Sequence, residues 1–234
     1  MSSLKDILNE FQNLKNPEKA QILSRFFKTG KGQYGEGDIF LGIKVPEQRK
    51  LAKKYSGLSI KDIEALLKSG IHEQRLTALL ILIIKYKKAD LSEKQKIFDF
   101  YLKNTKFINN WDLVDLSAPN IVGHFLFDKD KFILIKLSKS SDLWKKRIAM
   151  VSTYFFIKNN QFDITLAVAE NLLNDKHDLI HKAVGWMLRE TGKRSLLTEE
   201  KFLKKYYKNM PRTALRYAIE KFPEHKRKFY LAKD

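Results

Sequence analysis

Apolar residues recur at helical spacing along nearly the whole of this 234-residue chain, and no stretch alternates with period two for long enough to make a sheet. That regularity restricts the chain to helix packed on helix. Leu4, Ile7, Leu8, Phe11 and Leu14 form a first stripe. Asn16 before Pro17 predicts an N-cap with proline in the first turn, Pro46 starts another helix, and Ser59 with Asp62 starts a third in the manner of a capping box. Further helices are predicted at about 72–88, 92–103, 110–126, 130–138, 142–159, 161–173, 178–192, 198–208, 211–221 and 223–231. The Gly-rich stretch Lys28–Ile43 is read as a structured connection whose glycines take positive φ. It lacks the Gly-Lys-Ser/Thr ending of a phosphate loop, and Glu36 and Asp38 would repel a phosphate.

The helical segments also resemble one another. RLTALLILIIKY from Arg75, RIAMVSTYFFIK from Arg147, KAVGWMLRETGK from Lys182 and RYAIEKF from Arg216 each open on a basic residue and run into an apolar helix. The steps are 72, 35 and 34 positions, the first being close to two of the others, with the omitted start near Asn110. A two-helix unit of that period predicts an all-α, HEAT-like helical-repeat solenoid, an α-α superhelix forming one domain over residues 1–234. Its second helices, beginning near 72, 110, 142, 178 and 211, are expected to line a concave basic face. They carry Arg75, Lys145, Lys146, Arg147, Lys182, Arg189, Arg212 and Arg216.

Lysine and arginine number 45 against 27 acidic residues, a formal net charge of +18. Such a field attracts polyanions: DNA, RNA or an anionic membrane. Lysine outnumbers arginine, which suits diffuse attraction to a backbone better than reading of base edges. The absence of cysteine excludes disulfides, thiolate catalysis and Cys-ligated zinc. His177 and His181 have i,i+4 spacing but no HExxH pattern, so no metal is expected. The first residues lack a secretory pattern, and the most apolar run, Leu76–Ile84, is too short to span a bilayer. A cytoplasmic, monomeric protein without a membrane partner is expected.

Candidate functional residues cluster on the second helices. Trp111 and Asp115 share one face by i,i+4 spacing, with Asp112 beside them. Trp186 has Lys182 and Arg189 on nearby turns, and Trp144 precedes Arg147. Each has a plainer reading. Tryptophans mostly fill cores, and a carboxylate in a first helical turn is favoured by the helix dipole.

FLGIKVPEQRK from Phe40, NNWDLVD from Asn109, WKKRIAM from Trp144, KAVGWMLRE from Lys182 and PRTALRYAIEKF from Pro211 together make a specific pattern. With these motifs the sequence resembles, over essentially its whole length, the bacterial DNA alkylation repair glycosylases of the AlkD type, which are built from HEAT-like repeats. The resemblance implies that Trp111, Asp115, Arg147 and Trp186 line a DNA-binding cleft, with Asp115 the key catalytic carboxylate. It implies hydrolytic release of N3- and N7-alkylated purines from double-stranded DNA, without extrusion of the base into a pocket and without a cofactor. Two departures stand out. Asn110 occupies a position where some members carry a second tryptophan, and some members lack the Gly-rich insertion after Phe27. A non-catalytic HEAT-like module for bent or branched DNA, and a protein-interaction scaffold, are the competing readings.

Overall fold

The structure is a computed structural model that describes residues 3–232; Met1, Ser2, Lys233 and Asp234, part of the domain expected over 1–234, lie outside the described residues. It is all-helical, as the periodicity requires. Among the described residues, the only strand-like pairing is an isolated bridge between Ile39 and Ile71. The chain divides into two compact units, Met1–Ser117 and Ala118–Asp234.

The first unit contains α1 (Leu4–Asn13), α2 (Pro17–Phe26), α3 (Val45–Lys54), α4 (Ile60–Leu67), α5 (His72–Lys88), α6 (Leu91–Lys103) and most of α7 (Trp111–Ala118). Its helix starts are those expected from the sequence. Asn16 Oδ1 accepts from the Lys19 N–H at 2.9 Å, and Ser59 Oγ accepts from the Asp62 N–H at 3.1 Å. Helix α5 is the axis of the unit: α3, α4 and α6 pack on it, and it is buried from His72 through Ile83. That run begins with four polar residues, His72, Glu73, Gln74 and Arg75, which no apolar core would tolerate unpartnered.

The Gly-rich stretch is indeed a structured connection. Gly32, Gly37 and Gly42 all take positive φ. At Gly42 the requirement is strict: φ is +83°, and a Cβ would lie 2.1 Å from the Asn16 carbonyl oxygen. Beside it the Glu73 carboxylate accepts the N–H groups of Leu41, Gly42 and Ile43 at 2.8–3.2 Å. A buried anion on α5 therefore pins the end of the loop.

The second unit contains α8 (Phe132–Ser138), α9 (Leu143–Lys158), α10 (Asp163–Leu172), α11 (Asp178–Arg194), α12 (Leu196–Tyr206), α13 (Arg212–Ala218) and α14 (Glu224–Leu231). Here the expected repeat is explicit. The second helices α9, α11 and α13 stack in succession, while α8 and α10 back onto α9, and α10 and α12 onto α11. Two glycines allow close backbone-to-backbone approaches. A Cβ on Gly123 would stand 2.3 Å from the Ser152 carbonyl oxygen, and one on Gly185 would stand 2.3 Å from that of Ala214. The same pair of contacts thus recurs 62 positions on, from 123 and 152 to 185 and 214.

The helix predicted over 110–126 is not regular. α7 ends at Ala118 and the chain continues as a π-helical turn over Pro119–Gly123. Pro119 has no N–H to bond four residues back, so the ladder widens where proline enters it.

Glu199 of α12 is 1% exposed, and its Oε1 has no hydrogen-bond partner. Burial, reinforced by the neighbouring charge of Glu200, raises its pKa to about 8. A pKa raised on folding gives stability that is full below the ordinary value of 4.5 and lost as pH rises through 8. Glu199→Gln, which cannot ionise, should match wild type near pH 4.5 and be more stable above pH 8 by roughly 2 kcal/mol or more, a margin that equilibrium urea unfolding at the two pH values will measure.

Candidate active site

The Trp111 end of α7 is assembled from three separate segments. Asn110, fully buried, donates through Nδ2 to Asp38 Oδ2 at 3.1 Å and accepts the Trp111 N–H on Oδ1 at 2.8 Å. It thereby ties the start of α7 to the Gly-rich loop. The departure from tryptophan noted at this position has a structural use: the site needs an amide here.

Below it lies a buried charge cluster. His72, the first residue of α5, bonds Asp38 through Nδ1 at 3.0 Å and Asp112 through Nε2 at 2.8 Å. Arg75, one turn on, donates from Nη2 to Asp38 Oδ1 at 2.6 Å and from Nη1 to the Ser69 carbonyl at 3.0 Å. Burial alone would push the His72 pKa down. The hydrogen bonds it donates to Asp112 and then to Asp38 more than offset this and raise it to about 9. Burial would raise the Asp38 pKa, but the His72 hydrogen bond, the Arg75 charge and the Asn110 amide hold it below the usual carboxylate value.

An aromatic stack covers the cluster. The indole of Trp111 lies parallel to Phe27, with centroids 5.0 Å apart and planes 15° apart, and Phe26 meets its edge at 5.9 Å. Phe27 stacks on Phe40 at 5.0 Å, and Phe40 on the His72 ring at 4.5 Å. Trp111 is therefore half-buried with one ring face braced. Asp115, one turn along α7, is also half-buried. It lies close enough to Tyr101 that its charge adds to burial in raising that phenol, which shares a 2.8 Å hydrogen bond with Ser117.

In the second unit, Trp186 of α11 is half-buried and tilted against Tyr154 of α9 at 5.9 Å. Lys182 pairs with Asp178 at 2.7 Å, and Arg189 pairs with Glu220 and Glu190. Trp144 is 9% exposed and belongs to the core. Arg147 is 5% exposed, and its Nη1 donates to the Leu179 carbonyl at 2.6 Å, so one function it visibly performs is to hold the first turn of α11. His177 and His181 serve the same helix start. His177 Nδ1 accepts the Leu179 N–H, and His181 Nε2 bonds the Asp175 carbonyl.

One expectation is corrected. Arg75 does not present a cation for a backbone phosphate: it is 3% exposed and spent on Asp38 and Ser69. Its helical register points it inward, where it neutralises a carboxylate that sequence reading had assigned only to repelling phosphate. His72, Asp38, Asn110, Phe27 and Phe40 were not singled out as parts of a site. The available signal was a run of polar residues opening the most apolar helix of the chain.

The profile of the family described as DNA alkylation repair enzyme matches residues 7–222. This chain belongs to that family. Among solved structures, it is similar to one titled a predicted DNA alkylation repair enzyme from Enterococcus faecalis, at 19% identity, a TM-score of 0.69, and coverage of 90% of this chain and 97% of the other. No curated protein sequence matches it significantly. Membership gives the protein a role in repair of alkylated DNA. No helix among the described residues is long and apolar enough to cross a membrane.

Asp38 anchors both His72 and Arg75. Asp38→Ala should leave two buried cations without their shared carboxylate and lower stability by about 3–5 kcal/mol, read as a reduced urea midpoint with an unchanged m-value.

Proposed function

We propose that this protein is a DNA glycosylase that hydrolyses the bond between deoxyribose and a cationic N3- or N7-alkylated purine. The observation that carries the proposal is the first turn of α7. An indole braced on one face and a half-buried carboxylate stand one turn apart, at Trp111 and Asp115.

Alkylation at either ring nitrogen makes the base a cation and so a competent leaving group. The bond between C1′ and the purine nitrogen breaks with both electrons passing to the base, which leaves neutral. Positive charge develops on the sugar, where the Asp115 carboxylate stabilises it. Water adds to C1′, and its proton passes to Asp115 and on to solvent, leaving an abasic site. The negative faces of Trp111 and Trp186 suit a cationic nucleoside. Lys182, Arg189 and Arg147 are assigned to the DNA backbone, the first two by trading acidic partners for phosphate and Arg147 by releasing the Leu179 carbonyl. The substrate is double-stranded DNA, the base need not leave the duplex, and the residues of the chain supply all the chemistry named here.

A second reading is a non-catalytic module that binds bent or branched DNA, since a fold can be kept while its activity is lost. One assay separates them. Wild-type protein should release 7-methylguanine from methylated duplex DNA. Asp115→Asn should retain DNA affinity and lose release by about 10²-fold or more. Absence of release by the wild type, with tighter binding to a four-way junction than to lesion duplex, selects the second reading.

A further inference from the structure

The two ring nitrogens of His72 each face a carboxylate oxygen, Asp38 Oδ2 at 3.0 Å and Asp112 Oδ2 at 2.8 Å. An ionised carboxylate only accepts hydrogen bonds, so both nitrogens must donate and the ring must be an imidazolium. We propose that His72 is the positioning residue of this site: clamped between Asp38 and Asp112, it fixes the first turn of α7, and with it the stance of Trp111 and Asp115, against the Gly-rich loop, and the clamp opens when the ring loses a proton.

The charged groups around the ring define what that loss does. From the loop comes Asp38, from α7 comes Asp112, and from its own helix comes Arg75. Glu73, next in sequence, turns its carboxylate to the N–H groups of Leu41, Gly42 and Ile43. Phe27 and Phe40 contribute uncharged rings. When the imidazolium releases its proton to solvent, one nitrogen presents a lone pair to a carboxylate. Asp38 keeps Arg75 and Asn110, whereas Asp112 keeps the N–H of its neighbour Leu113. The weaker side of the clamp is therefore the α7 side. Asp112 directly follows Trp111 and lies one turn before Asp115, so movement of this turn carries both. The direction of the shift agrees: the raised pKa of His72 keeps the ring protonated and the clamp closed through neutral pH, and the clamp opens as pH rises through about 9.

The link to activity rests on the reading of Trp111 and Asp115 as the reacting site, but the clamp is measurable without it. Histidine-labelled full-length protein is titrated by NMR, with the Trp111 indole N–H assigned through Trp111→Phe. His72 should titrate near pH 9, and the Trp111 indole resonance should move with the same inflection. That indole inflection should vanish in His72→Gln. Asp112→Asn, which preserves shape, should lower the His72 titration by about one pH unit or more while the protein still melts cooperatively. In the base-release assay, wild-type kcat should fall about tenfold per pH unit above the inflection, and His72→Gln should be slower at neutral pH and lack this limb. A His72 that titrates at or below pH 7, or a Trp111 signal indifferent to its titration, overturns the proposal. Coupled NMR titrations without any base release would uphold the clamp and remove the glycosylase reading.

Discussion

Four ionisable side chains, Asp38, His72, Arg75 and Asp112, sit together out of water at the start of α5, and the arrangement of the first unit follows from how their charges cancel. Two carboxylates meet a guanidinium and an imidazolium, so the cluster is neutral only in the protonated state of His72. Desolvating such groups separately would cost far more than any one contact returns, and each pair tolerates burial because the others are present. The cluster joins segments distant in sequence: a loop near position 38, the first turn of α5, and the first turn of α7. The phenylalanines above it keep water away and strengthen each interaction by lowering the local dielectric. Trp111, the outermost ring of that stack, takes its orientation from chemistry two layers beneath it.

The architecture was largely legible because it rests on short-range rules. Apolar spacing marked the helices, Asn16 and Ser59 marked starts, and the basic-then-apolar segments marked the repeat that α9, α11 and α13 display. The site was legible only in part. Trp111 and Asp115 could be placed on one face by arithmetic along a helix, but their support comes from residues some 40 and 70 positions away, and pairing at that distance leaves no periodic trace. Asp38 looked like a deterrent to phosphate because sequence shows charge without its partners. Arg75 looked like a groove cation for the same reason. The break of the helix at Pro119 was visible as a proline, yet whether the ladder ends, kinks or widens there depends on packing.

Charge must be read with the same care. A surplus of 18 positive charges is a property of the whole chain. Lys146, Lys182 and Arg189 each sit in an ion pair, with Asp175, Asp178 and Glu220 respectively. The surplus is therefore carried by other side chains, among them the exposed lysines Lys136, Lys139 and Lys201, while the paired cations offer a more selective response. Under the proposed function a phosphate would capture them only by displacing a carboxylate, which would filter for a ligand held in register.

The glycines at 123 and 185 carry a mechanical implication for the second unit. At these seams, backbone already touches backbone, with no room for even one methyl group. Such joints resist any further approach of the two backbones. Any flexing of this unit can open these seams but cannot close them further, a limit set by hydrogen atoms in place of side chains.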